Sequence, residues 1–164
     1  MEIYRIMRYA GLIKNDFAAA PGISTTFFVQ GCSHHCPGCH NPQTWDFNGG
    51  KEFSQNTINE IIEALTANGV KRSLAIQGGE PLHPDNQFLT LLVIRNIKEQ
   101  LPDTEVYIWT GYYFDDIPET PYLSQILNMT KCIIDGPYIE AERDITLPMR
   151  GSSNQNIIYL DNHK

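Results

Sequence analysis

The chain has 164 residues, of which 41% are hydrophobic and 19% charged, and a formal net charge of −7. That length favours one domain with a proper core over residues 1–164, and it falls short of the roughly 250 residues of a closed eight-stranded βα barrel. The acidic balance argues against a nucleic-acid-binding module, which carries a basic face. No apolar run approaches the roughly 18–20 residues that span a bilayer, and residues 1–6 lack the basic and apolar sections of a signal peptide. The expectation is a cytoplasmic protein with neither nucleic acid nor membrane as partner.

In chain order, residues 25–30 are β-branched and aromatic and predict a buried strand running into Gly31. A loop rich in Gly, Pro, Asn and His follows to about Lys51, and loops of such length in compact domains are usually functional. Thr57 as N-cap and Glu60 at N3 fit a capping box. Ile58, Ile61, Ile62 and Leu65 then form the inward stripe of a helix stopped by Gly69. Residues 73–77 predict a short strand ending at Gly78-Gly79-Glu80-Pro81. A second helix is expected over 85–100, with Leu89, Leu92, Val93 and Ile97 inward and Pro102 closing it. Residues 105–110 predict a strand that stops at Gly111, and 121–128 a short helix with proline in its first turn. Residues 132–134 predict a buried strand ending at Asp135-Gly136-Pro137, and 156–160 a final strand.

This alternation predicts an α/β fold: an incomplete, TIM-like βα barrel with a mostly parallel sheet of about five strands. The cysteine loop, the Gly-Gly-Glu-Pro turn, Thr110-Gly111 and Asp135-Gly136 each follow the C-terminal end of a predicted strand. In parallel α/β folds that edge is where sites are assembled.

Three of the four cysteines, Cys32, Cys36 and Cys39, fall within eight positions, and Cys132 stands far away. In a reducing compartment a tight cysteine group means metal or catalysis before it means disulfides. Three thiolates on one loop can hold three corners of a cubane iron–sulfur cluster. Clusters used only for electron transfer normally have four cysteine ligands, so three leave one iron open to a substrate or cofactor. A Cys3His zinc site completed by His34, His35 or His40 is the alternative, although the second ligand pair of a structural zinc site is missing from the sequence. A four-cysteine cluster would require Cys132, whose apolar strand suits a small packed hydrophobe.

The spacing Cys32-x-x-x-Cys36-x-x-Cys39 resembles the signature of the radical S-adenosylmethionine enzymes, and the Gly78-Gly79-Glu80-Pro81 turn is similar to the one with which they bind the methionine amino group. More of the chain resembles one family among them, the activating proteins of anaerobic ribonucleoside-triphosphate reductases. The matching pieces are Pro21-Gly22, Phe28-Val29-Gln30-Gly31-Cys32, Cys36-Pro37-Gly38-Cys39-His40-Asn41 and Thr44-Trp45. They continue with Gly78-Gly79-Glu80-Pro81-Leu82-His83-Pro84, Asp135-Gly136-Pro137-Tyr138 and Leu147-Pro148-Met149-Arg150-Gly151-Ser152-Ser153-Asn154-Gln155. Two positions depart from the pattern: Gly38 stands where an aromatic often precedes the third cysteine, and Ile23-Ser24 where an arginine often follows Gly-Pro-Gly.

The resemblance implies a [4Fe-4S] cluster on Cys32, Cys36 and Cys39, with S-adenosylmethionine as the second cofactor. It implies that Gly38, Cys39 and His40 line the adenine side. Gly78, Gly79 and Glu80 would hold the methionine amino end, and Thr110 and Asp135 would contact ribose or methionine. Arg150 and Asn154 would belong to the site rim or a partner surface, and Trp45 to packing. The implied reaction is reductive cleavage to a 5′-deoxyadenosyl radical and transfer of the radical to a glycine of the reductase. A low-potential donor such as flavodoxin would supply the electron. Because the radical is borne by the cofactor, no catalytic side chain is expected. Two other readings stay open at this point: activation of another glycyl-radical enzyme or small-metabolite radical chemistry, and a non-enzymatic zinc or iron–sulfur protein.

Overall fold

The computed structural model describes residues 6–160; the leader reading over residues 1–5 lies outside them. Its strands are β1 (Arg8–Asp16), β2 (Ser24–Val29), β3 (Lys51–Glu52), β4 (Ser73–Gly78), β5 (Val106–Trp109), β6 (Cys132–Asp135) and β7 (Asn156–Tyr159), and its α-helices are α1 (Gln55–Thr66), α2 (Pro84–Gln100) and α3 (Leu123–Asn128). The strands form one sheet in the order β3-β1-β2-β4-β5-β6-β7. The four central strands β2, β4, β5 and β6 are mutually parallel. The flanks, β1 beside β2, β3 beside β1 and β7 beside β6, are antiparallel.

The sheet therefore has seven strands where about five were expected. The additions are β1 and β3. The β1 sequence Arg-Tyr-Ala-Gly-Leu-Ile-Lys-Asn-Asp does not alternate apolar with polar, because only Tyr9 is fully buried and the strand lies near the sheet edge. Its pairing with β2 is irregular between Tyr9 and Gly11 and again between Ile13 and Asp16. The two residues of β3 are too few to leave a pattern.

The parallel strands follow one another in space as they do in sequence. Right-handed crossovers between such strands put every connecting helix on the same face, and α1 touches α2 while α2 touches α3. Strand residues alternate between two layers. Val106, Ile108 and Ile133 point into the main core beneath the helices, with Phe27, Leu74, Ile76, Ile61 and Ile94. Tyr107, Cys132 and Ile134 point the other way, into a smaller cluster covered by Met149 and Ile157.

The helices differ from expectation in detail. The α1 capping pair sits one turn earlier than Thr57/Glu60: Ser54 is the N-cap and its N–H donates to Thr57 Oγ1 at 3.1 Å. On α2, Leu89, Val93 and Ile97 are buried as expected, but so are Thr90, Leu91 and Ile94, while Leu92 is half-buried. This helix is wedged between the sheet and its two helical neighbours, so one stripe is too narrow a description of its contacts. Among the described residues no helix is long and apolar enough to cross a membrane.

Ile108 is fully buried at the centre of β5. Ile108→Ala is expected to lower stability by about 2–5 kcal/mol through lost burial and a residual cavity, read as a lower urea midpoint with an unchanged slope.

Candidate metal centre

All four parallel strands end at one edge, and the loops beyond β2, β4, β5 and β6 meet there around a cavity of about 150 Å³. Its lining includes Cys32, Cys36 and Cys39 from the first loop, Gly78, Gly79 and Glu80 from the second, Thr110 and Gly111 from the third and Gly136 from the fourth.

The first two loops are laced together by backbone. Gly79 N–H donates to Val29 O at 2.9 Å and Glu80 N–H to Gly31 O at 2.8 Å. Chains this close leave no space for side chains. A Cβ on Gly78 would stand 2.6 Å from Val29 O, and one on Gly79 would run into the Gly31 backbone. Gly78 also has φ +104, a conformation other residues rarely adopt.

Glu80 is fully buried, and both carboxylate oxygens are taken. Oε1 accepts from Gly111 N–H at 2.6 Å and from the Nε2 of His34 at 2.8 Å. Oε2 accepts from Thr110 Oγ1 at 2.7 Å and from Leu82 N–H at 2.8 Å. Asn86 reinforces the joint by donating to both Gly31 O and Glu80 O. The side chains of Glu80 and Thr110 are thus committed to each other, and the turn meets the cavity with its glycine backbone.

The three loop cysteines are free thiols around one space. The Cys39 N–H donates to Cys36 O at 3.0 Å, closing a turn that passes through Gly38 at φ +78. The positive φ disfavours an aromatic at the position where one was expected, and a side chain there would also require the Glu140 carboxylate to move aside. Burial pushes the Cys32 thiol up to about 11 and raises Cys36 as well. Burial makes these thiols harder to ionise, and a nearby cation such as iron would favour the thiolate.

Zinc suits the arrangement poorly. His34 is bonded to Glu80 and packs edge-on against Tyr112, with ring centroids 4.5 Å apart. His35 stacks on Trp45 at 4.4 Å and 12°. His40 packs against Tyr138 at 5.1 Å. Among the described residues no three His, Cys, Asp or Glu side chains are gathered tightly enough to hold a single ion. A four-iron cube is wider than an ion, so its ligands stand further apart.

Not every residue singled out in the sequence reaches the cavity. Gly38, His40 and Asp135 stand outside its lining. Asp135 joins strand ends instead: Oδ2 accepts from Phe114 N–H at 2.8 Å, and Oδ1 from Asn156 N–H and Nδ2 at 3.1 and 2.9 Å. Cys132 opens β6, at the opposite end of the sheet, and its buried thiol is also pushed up to about 11. The tail folds over the last strands. Trp109 Nε1 donates to Met149 O at 2.7 Å, Gln155 Oε1 accepts from Gly151 and Ser152 N–H, and Gln155 Nε2 donates to Gly136 O. This brings Gln155 into the lining beside Gln77, Trp109, Tyr138 and Asn41, none of which the cysteine pattern pointed to. Position at a parallel strand end was the usable signal for Gln77 and Trp109. A larger cleft of about 490 Å³, near Met7, Phe47 and Phe88, contains none of the cysteines.

Three cysteines facing one cavity beside a glycine-lined strand end suit an iron–sulfur centre. A family described as "4Fe-4S single cluster domain" matches residues 18–158. Proteins named anaerobic ribonucleoside-triphosphate reductase-activating protein are similar over nearly the whole chain. The one from Salmonella typhi is 35% identical, covering 94% of this chain and 99% of its own. That from Escherichia coli (strain K12) is 34% identical with the same coverage, and that from Enterobacteria phage T4 is 34% identical over 92% of this chain and 93% of its own. The chain belongs to the family of anaerobic ribonucleoside-triphosphate reductase-activating proteins.

Glu80→Gln tests the joint. An amide must turn its NH2 toward one oxygen position, and each position faces a backbone N–H, of Gly111 or of Leu82. One buried donor then loses its acceptor, at a cost of about 1–3 kcal/mol. A matching fall in chemical-denaturation stability is expected.

Proposed function

We propose that this chain is a radical S-adenosylmethionine enzyme, an oxidoreductase that installs a glycyl radical on an anaerobic ribonucleoside-triphosphate reductase. The observation that carries the reading is the meeting of Cys32, Cys36 and Cys39 with the Gly78-Gly79 turn in one cavity at the parallel strand ends. When bound, a [4Fe-4S] cluster would supply the one-electron chemistry for reductive cleavage of S-adenosylmethionine, after which a hydrogen atom would be drawn from the reductase glycine.

The residues divide the remaining work. Cys32, Cys36 and Cys39 would hold the cluster, and a ligand set of three would leave it able to take the methionine amino and carboxylate groups. Gly78 and Gly79 offer backbone to the methionine end, and Glu80 acts by fixing that turn, since its carboxylate is fully engaged. Cys39 shapes the adenine side with the backbone of Gly38 and His40 behind it. Thr110 and Asp135 serve the site by setting the loops after β5 and β6. Hydrogen-atom transfer needs no proton-shuttling side chain, in keeping with a cavity that offers no free carboxylate pair.

The fold supports the same reading. On this reading, the parallel strands in sequential order, with helices on one face, would be part of an incomplete βα barrel, and the chain of 1–164 would be one radical S-adenosylmethionine domain. Its missing staves leave a side open to a large protein substrate. A low-potential donor such as flavodoxin supplies the electron.

The test is electron paramagnetic resonance on reduced protein mixed with S-adenosylmethionine and the reductase. A glycyl doublet on the reductase is expected, and its absence with an intact cluster refutes the assignment. Cys36→Ala is expected to lose the open-site cluster and methionine formation together, while persistent cleavage would show the ligand set to be wrong.

A further inference from the structure

The indole Nε1 of Trp45 is buried and has no hydrogen-bond partner, and Trp45 is one of the residues that line the cysteine cavity. Buried donors are paired in the great majority of cases, and an orphan asks for an absent acceptor. The second tryptophan of the lining shows the contrast, because Trp109 gives its N–H to Met149 O at 2.7 Å.

Trp45 is also held firmly. Its ring stacks flat on His35, between two of the cysteines in sequence. Its carbonyl accepts from Cys32 N–H at 3.1 Å, and its own N–H donates to Pro42 O at 3.2 Å. The preceding carbonyl, of Thr44, accepts from Gly31 N–H at 2.7 Å. The indole is thus fastened to the segment that carries Cys32. One cysteine sulfur already accepts a backbone donor: Asn41 N–H lies 3.4 Å from Cys39 Sγ. The sulfides and thiolates of a bound cluster would be acceptors of the kind that this N–H lacks.

We propose that the Trp45 indole N–H donates a hydrogen bond to a sulfur of the iron–sulfur cluster. The inference rests on the reading that Cys32, Cys36 and Cys39 hold a four-iron cluster. Hydrogen bonds to cluster sulfurs draw electron density from them and favour the reduced, more negative state, so they raise the reduction potential. Trp45 then makes the cluster easier for its electron donor to reduce.

Trp45→Phe keeps a ring on His35 and deletes the donor. Wild type and variant, reconstituted anaerobically, are expected to hold about four irons and four sulfides per chain. In a redox titration followed by electron paramagnetic resonance, the variant's reduced-to-oxidised ratio at the wild-type midpoint is expected to fall about fivefold, the size of one ordinary hydrogen bond. Equal midpoints overturn the inference and leave the cluster reading intact. A colourless wild type with one tight zinc sinks the cluster reading itself. A second measurement is independent of cluster loading in Trp45→Phe. In protein carrying 15N-indole tryptophan, electron spin-echo modulation of the reduced cluster should show a 15N coupling in the wild type and in Trp109→Phe. Four irons without that coupling overturn the inference.

Discussion

The buried carboxylate of Glu80 is the constraint on which the strand-end architecture depends. Adjacent parallel strands cannot be joined by tight hairpins, so nothing in the connectivity forces the loops after β2, β4 and β5 to meet. Taking a carboxylate out of water costs several kcal/mol unless its lone pairs are satisfied. Here that is achieved only when His34, Leu82, Thr110 and Gly111 converge on it. The cysteine loop, the glycine turn and the end of β5 are therefore held together through one side chain, alongside the backbone and Asn86 links of the first two loops.

Asp135 repeats the device one strand further on. It links the end of β6 to Phe114 and to the start of β7. Gln155 then clips Gly136 to the turn at Gly151 and Ser152. The tail is thereby drawn across the outer face of β5 and β6, where Met149 covers Trp109 and closes a second, smaller core. Acidic and amide side chains at this edge mostly assemble the frame, while backbone and sulfur face the space inside it.

The parallel centre of the fold was legible because each central strand is a short apolar run with glycine or a turn after it, and each helix shows an apolar stripe. The outer strand β1 was not, since residues near an edge are half in water and obey no period. The α1 cap was misplaced by one turn because serine and threonine both suit an N-cap, and Thr57 instead serves at N3. At the site, the cysteine group and the glycine turn could be read from spacing. The commitments of Glu80, Thr110 and Asp135 could not, because a polar residue at a strand end looks the same in sequence whether it faces a ligand or a neighbouring loop. His34 illustrates the limit: adjacency to cysteines suggested a metal ligand, and its true partner lies 46 positions away.

Cys32, Cys36 and Cys39 belong to one loop, while the main core is made by strands and helices outside it. This differs from small zinc domains, in which metal binding and folding are one event. A protein built this way carries the weight of its packing away from the cysteine loop. Substitutions among the loop cysteines and substitutions in the core are then expected to fail differently, the first in what the cavity holds and the second in whether the chain folds.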